Sequence, residues 1–404
     1  MKFWISKNQQ SLSGKELKKY LQNKRVIKYL YQRGHLTNSY LAKKLDLSIP
    51  TVQAILNELI ADGLVQEQGL GTSNGGRRPS LYSLAENSLF VVGVDMNRYK
   101  TRMAIFNHFN ENITGTITYD LKLESDMSVL QKVHEKVEEL IAHTPINRDK
   151  IIGIGINMPG LVDSTEGINH TYFNFATPVR DILEEMFGLP VFIENDAKAR
   201  ALAEHKYGEA TAKKNVLAIY LDWGVGLGMI FNGKLYKGKS GFAGEFSHIP
   251  LIENGELCVC GKKGCLETIA SATALARMAK EGLKKGNDSI LNNLVNEDMD
   301  KLEAQIIIEA ARNGDQFAIT LLSRIGHDLG KGIATLIQLL NPEMIILGGR
   351  MSQGREYLMT SIHQSLYKYC IPKLREDTEI VYSKLGNDAG VLGALAVVVE
   401  NIFE

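Results

Sequence analysis

The sequence has no signal-peptide core, no apolar run of membrane-spanning length, no net charge and only four cysteines. Met1-Lys-Phe-Trp-Ile-Ser leads into polar Lys7-Asn-Gln-Gln10, not into a hydrophobic segment, so nothing there reads as an export signal or a span. The expected location is the cytoplasm, with no membrane partner. Few cysteines in a reduced compartment argue against a disulfide framework, and 44% hydrophobic content over 404 residues is enough for two to three domains with proper cores. The zero net charge conceals an asymmetry. Residues 1–85 carry 13 Lys/Arg against 5 Asp/Glu, leaving 33 against 41 for the remainder, so a basic head is joined to an acidic body. Such a head suits a nucleic-acid partner, although a solvated surface has the same charge.

Three of the cysteines crowd into eight residues. Cys258, Cys260 and Cys265 follow His248 at x9, x1 and x4 spacings in a stretch holding Gly255, Gly261 and Gly264. Three thiolates and an imidazole in a loop able to fold around an ion are the donor set of a tetrahedral structural zinc site, with free or redox cysteines as the competing reading. Cys370 stands alone and reads as an ordinary half-buried thiol.

The head reads as a winged helix-turn-helix. Leu17, Tyr20, Leu21, Val26, Ile27 and Leu30 recur at helical spacing up to Gly34, and a second helix covers Tyr40 to Leu45 after Thr37, Asn38 or Ser39 as cap. Ser48 caps a third helix that tolerates Pro50 in its first turn, buries Val52, Ile55, Leu56 and Leu59, and ends near Gly63. Ser48, Thr51, Gln53 and Asn57 lie at its start and on its other face, where short polar side chains reach base edges in a major groove. Strand-like Leu64 to Gln68, a glycine-rich tip from Gly69 to Gly76 and a return strand near Leu81 to Leu84 form a wing, with Arg77 and Arg78 set to enter a narrow groove. A protein-contact module is the alternative.

From Phe90 the chain alternates apolar strands with amphipathic helices: Leu89 to Val94, Met103 to Phe106, a helix through Leu130 to Ile141, then Ile151 to Ile156. A second set runs from Val216 to Leu221 and Gly228 to Phe231, through helices from Ala270 onward, to Met344 to Leu347. Two such halves predict a duplicated α/β body with a ligand cleft. Asn157-Met-Pro-Gly160 and Glu194-Asn195-Asp196 each follow a strand, and Glu245, His248 and Glu267 flank the cysteine loop. Carboxylates beside amides can hold sugar hydroxyls or act as a base on one; each alone is equally a capped loop.

At these residues the chain resembles the ROK family of bacterial sugar kinases and sugar-responsive repressors. Gly244-Glu-Phe-Ser-His248 through Cys258-Val-Cys260-Gly261-Lys-Lys-Gly264-Cys265-Leu-Glu267 follows the family's zinc signature, and Glu194-Asn195-Asp196-Ala197 matches its sugar-binding and catalytic segment. The winged head matches only the repressor branch, of the NagC, Mlc and XylR type. The resemblance implies a ribonuclease H-like, actin/hexokinase-type two-lobed body after the head. Residues 1–85 would be the head, 86–200 the first lobe completed by 386–404, and 201–385 the second lobe with the zinc loop and an oligomerisation surface. Gly160, Asn195, Asp196, Glu245, His248 and Glu267 would bind the effector; His248, Cys258, Cys260 and Cys265 would hold Zn2+. In family kinases the residue matching Asp196 deprotonates the attacking hydroxyl.

Two departures separate the chain from those kinases. Their Asp-x-Gly-Gly-Thr-Lys turn is here Asp95-Met-Asn-Arg-Tyr-Lys100, and their Gly-Thr-Gly-x-Gly loop is Asp222-Trp-Gly-Val-Gly226, although Leu347-Gly348-Gly349 survives. Side chains obstruct a tight phosphate turn, and a carboxylate repels a polyanion. The expectation is a non-enzymatic repressor of carbohydrate genes. It would bind pseudo-palindromic operator DNA as a dimer or tetramer and be released by a sugar or sugar phosphate; an ATP-dependent sugar kinase with a DNA-binding head is the alternative.

Overall fold

The computed structural model describes residues 13–71, 78–295 and 298–403. The chain divides into two compact units, Met1–Asn195 with Gly390–Glu404, and Asp196–Ala389.

The first unit opens with helix α1 (Gly14–Arg33), strand β1 (Leu36–Thr37), α2 (Asn38–Leu45), α3 (Ile49–Ala61), β2 (Val65–Leu70) and β3 (Ser80–Leu84). Local chemistry sets these boundaries. Thr37 Oγ1 accepts from Tyr40 N and Ser48 Oγ from Thr51 N, satisfying amides that the first helical turns leave open. Asp46 takes the left-handed conformation that ends α2. Val26, Ile27 and Leu30 of α1, Leu41, Ala42 and Leu45 of α2, and Val52, Ile55, Leu56 and Leu59 of α3 are buried. Leu21, one of the helically spaced apolar residues, is 47% exposed. The three strands pair in the order β1-β3-β2, giving the winged helix-turn-helix.

The rest of this unit is built on β4 (Phe90–Met96), β5 (Lys100–Asn107), β6 (Ile117–Asp120), helix α4 (Met127–His143), β7 (Ile151–Met158), the small hairpin β8 (Val162–Asp163) and β9 (Ile168–Asn169), α5 (Val179–Phe187) and β10 (Val191–Asn195). Its sheet order is β10-β7-β4-β5-β6. β4 and β7 are buried along their whole length, which is why they read as near-continuous apolar runs.

The second unit contains α6 (Asp196–Tyr207), β11 (Val216–Leu221), β12 (Val225–Phe231), β13 (Lys234–Leu235), α7 (Glu267–Ala270), α8 (Ala272–Lys284), α9 (Leu291–Leu294), α10 (Ala304–Arg312), α11 (Gln316–Leu340), β14 (Met344–Gly348), α12 (Arg355–Tyr369), α13 (Pro372–Asp377) and β15 (Glu379–Tyr382). Its sheet runs β13-β12-β11-β14-β15. Numbered by chain order within each sheet, both read 3-2-1-4-5, with strands 1, 4 and 5 parallel and strands 1, 2 and 3 antiparallel. That repeat is the duplicated ribonuclease H-like body.

The final helix, α14 (Ala389–Phe403), returns to the first unit from Gly390 onward. The 18-residue stretch Gly386–Phe403 has the length and apolar composition of a membrane span, contrary to the expectation that no run reaches it, yet it is 67% buried within the protein as a core helix. Cys370, expected half-buried, belongs to the apolar core of the second unit, and burial pushes its thiol up.

Candidate functional site

In the head, Ser48, Thr51 and Asn57 stand exposed at the start and along the outer face of α3. Gln53 is more committed. Its Oε1 accepts from Asn38 Nδ2 at 2.7 Å, and its Nε2 donates to Asn57 Oδ1 at 2.9 Å and to the Tyr82 hydroxyl at 3.2 Å. This amide ties α3 to α2 and β3, so it orients Asn57 at the cost of its own freedom to read a base. Arg78 is exposed at the root of the wing; Arg77 lies outside the described residues.

In the first unit, β7 and β10 run parallel and end side by side, pairing Asn157 with Glu194 and Met158 with Asn195. The Asn195 amide donates to the Gly160 carbonyl at 3.0 Å. Gly160 has φ 92°, and a Cβ there would lie 2.6 Å from Thr171 Cβ, so only glycine fits the turn. Glu194 is buried, and its Oε1 accepts from Asn195 N at 2.9 Å.

In the second unit, Asp196 starts α6. Its Oδ1 accepts from Ala197 N and its Oδ2 from Arg200, one turn on, both at 2.9 Å. Lys198, buried on the same helix, donates to the Gly241 carbonyl. Glu245 lies within the field of these groups: burial raises its carboxyl, the charges of Lys198 and His248 oppose that, and Asp196 and Glu267 reinforce it. Burial likewise raises Glu267, against the pull of His248 and an amide bond from Val225. A Cβ on Gly224 would sit 2.6 Å from Glu267 Oε2, so the bare glycine admits that carboxylate. Glu245 thus feels Asp196, His248 and Glu267 together, and the His248 imidazole acts on both glutamates.

The imidazole belongs to a second cluster. Ligand atoms of His248, Cys258, Cys260 and Cys265 all lie within 4.8 Å of one another, a group that could hold a metal ion. The loop closes on its own backbone: Cys258 N donates to Lys262 O, Gly261 N to Cys258 O and Gly264 N to Glu256 O. Gly264, at φ 73°, is obligatory because its Cβ would lie 1.8 Å from Ile252 O. Burial, with bonds to the neighbouring sulfurs, pushes Cys265 up to about 12, while the Lys262 amide pulls exposed Cys260 down. A divalent cation would deprotonate these thiols on binding, the buried Cys265 included. Three sulfurs and one nitrogen suit zinc; when bound, the ion would pin the loop that carries His248.

Gly226 and Gly228 serve packing. A Cβ on either would lie 2.6 or 2.4 Å from the Cβ of Ala197 or Ala201, so they let α6 sit directly on β12.

Comparison with known proteins agrees with this anatomy. The profile described as "ROK family" matches residues 91–401, and that described as "Winged helix-turn-helix DNA-binding" matches residues 22–66. The xylose repressor of Caldicellulosiruptor bescii is 30% identical over 381 residues, 93% of this chain and 95% of that protein. The glucokinase of Halalkalibacterium halodurans is 36% identical over 309 residues, 75% of this chain and 92% of the enzyme. Among solved structures, a ROK family transcriptional regulator homologous to the Escherichia coli MLC protein superposes with TM-score 0.80 at 28% identity, covering 95% of this chain and 96% of that one.

Proposed function

The chain belongs to the ROK family, and from that premise we propose that it is a sugar-responsive transcriptional repressor which has kept the family's carbohydrate-binding groups and lost nucleotide chemistry. The observation that carries this reading is the joining, in one chain, of a winged helix-turn-helix to a ROK body, matched over 93% of its length by a xylose repressor and over only 75% by a glucokinase.

Gly160, Asn195, Asp196, Glu245, His248 and Glu267 hold the effector's hydroxyls, the carboxylates accepting and the amide and imidazole donating or accepting. His248 and the three cysteines would hold zinc, which would fix the ring whose Nε2 lies 3.9 Å from Glu245 Oε2 on the effector side. Ser48, Thr51, Asn57, Arg77 and Arg78 contact operator DNA, and Gln53 orients Asn57 toward it. One head reads one half-site, so the working species is a homo-oligomer on a pseudo-palindrome. Effector must prefer the DNA-incompetent state, by about 1 to 3 kcal/mol for a useful switch. Residues 1–85, 86–200 with 386–404, and 201–385 are the functional segments, and the cytoplasm is the working compartment.

The two degenerate turns support the loss of kinase activity. In the first, Asn97 N donates to Lys100 O, and Asn97 Oδ1 accepts from Tyr99 N and Lys100 N, so the turn spends its amides on itself. In the second, Asp222 Oδ1 accepts from Arg350 N at 3.1 Å and pairs with its guanidinium at 3.3 Å, which also stacks 4.8 Å above Trp223. The retained Asp196 favours the second reading, a sugar kinase with a DNA-binding head. Thermal shift against D-xylose, D-glucose, N-acetyl-D-glucosamine and their phosphates, followed by operator release with and without ATP, tests the proposal. Release by sugar alone supports it; ATP turnover lost in Asp196→Asn overturns it.

A further inference from the structure

The last helix connects two places that a repressor must keep in communication. At its start, Asn157 Nδ2 donates to Gly390 O at 2.7 Å, and the Asp95 carboxylate lies so near that a Cβ on Gly390 would sit 2.2 Å from its Cγ. Asn157 is three residues from Gly160, the carbonyl that takes the Asn195 amide. Along its course the helix meets the sheet backbone to backbone. A Cβ on Gly93 would lie 2.8 Å from Val391 O, and one on Gly155 2.2 Å from Ala394 O. With no side chains between them, the helix cannot slip or rotate against β4 and β7 without a clash, so it moves with them as a rod about 20 Å long.

At its other end, Phe403 is 2% exposed and stacks on Tyr31 of α1, ring centroids 4.8 Å apart and planes 28° from parallel. The Tyr31 hydroxyl donates to Asn110 Oδ1 in the turn after β5. That turn is itself tied down. Asn110, at φ 65°, donates its amide to Asn107 O at 3.0 Å, and Asn107 Oδ1 accepts from Phe109 N and Glu111 N. Tyr31 follows Leu30 on the buried face of α1, and the Lys19–Glu58 pair at 2.8 Å links α1 to α3.

The geometry points to Tyr31 as the residue that couples the strand-end loop at Gly160 and Asn195 to the DNA-binding head, with α14 as the transmitting element. A shift of the β7 end on effector binding displaces the first turn of α14, and the rigid helix delivers it to the Phe403–Tyr31 stack, where the head is held. A ring stack with a hydrogen bond beside it is a joint of the kind that can take a second arrangement. This inference rests on the repressor reading for its purpose, but not for its mechanics.

Two measurements test it. In ligand-free protein, Asn157→Ala loosens the start of α14; amide exchange across residues 26–33 is expected to rise several-fold, and the same substitution in a Tyr31→Ala background is expected to add nothing. No rise, or an equal rise in both backgrounds, overturns the coupling. In the second, Tyr31→Ala and the milder Tyr31→Phe and Phe403→Leu are compared with the parent for operator affinity, for stabilisation by D-xylose and D-glucose, and for operator release. The joint predicts near-parental operator affinity and sugar stabilisation, with the release factor falling toward one in Tyr31→Ala and less far in Tyr31→Phe. Unchanged release in all three variants contradicts it. If neither sugar stabilises the parent, that choice of effector fails, while the exchange measurement still decides the coupling.

Discussion

His248 presents Nδ1 to the sulfur of Cys258 at 3.4 Å. The opposite nitrogen, Nε2, lies 3.9 Å from Glu245 Oε2, so one ring belongs at once to a thiol cluster and to a group of carboxylates. Any ion that fixes the first edge also aims the second.

Cys258→Ser and Cys260→Ser should therefore do more than lower stability. Zinc measured by mass spectrometry on purified protein should fall to background in either variant. Effector affinity by calorimetry should weaken about 10- to 100-fold, the usual cost of disturbing groups that orient a site. Normal effector response in metal-free protein would break the link between the two edges.

The DNA contacts separate by salt. Arg78→Ala should weaken operator binding uniformly across sequences and reduce the slope of log affinity against log salt by about one, whereas Asn57→Ala should cost about 1 to 3 kcal/mol at one base position. Gln53→Ala tests orientation: it frees Asn57 and Tyr82 from their shared amide, so specificity should relax at the position Asn57 reads. Fluorescence anisotropy over a salt series, with single-base operator variants, reads all three.

Gly228→Val should destabilise the second unit by about 1 to 3 kcal/mol or more, because its side chain would enter space already filled by Ala201. Chemical denaturation followed by circular dichroism measures this, and a neutral outcome would show that α6 can lift from β12.

A pH effect follows from His108, 8% exposed in the turn after β5, where burial lowers its imidazole against the weaker pull of Glu111 and Glu86. With the folded value below the unfolded one near 6.5, the unfolded state binds more protons between the two. The contribution of neutral His108 is fully present above pH 6.5 and is lost as pH falls toward the lowered value. Melting temperatures from pH 7.5 to 5 should decline less steeply in His108→Gln than in the parent.

What could be read from the sequence follows the range of the interactions. The head's helices were legible because Thr37, Ser48 and Asp46 set their ends through contacts a few residues away. The His248–cysteine cluster was legible because its four donors fall within 18 residues of chain. The alternating body was legible from β4, β7, β11 and β14, whose burial leaves near-continuous apolar runs. Longer-range contacts left no local trace. Gly224 and Gly226 resemble the remains of a phosphate loop, yet their neighbours are Glu267 and Ala197. Gln53 has the chemistry of a base reader, but Tyr82, 29 residues on, engages it. Nothing near Tyr31 announces Phe403, more than 370 residues away.

The most direct measurement follows operator-bound protein by anisotropy while D-xylose, D-glucose, N-acetyl-D-glucosamine or the phosphate of each is added, with and without ATP, and assays ADP in the same samples. The account predicts that one of these sugars, or its phosphate, releases the operator equally well without ATP, and that no ADP forms. Release that requires ATP, with ADP production abolished by Asp196→Asn, would contradict it.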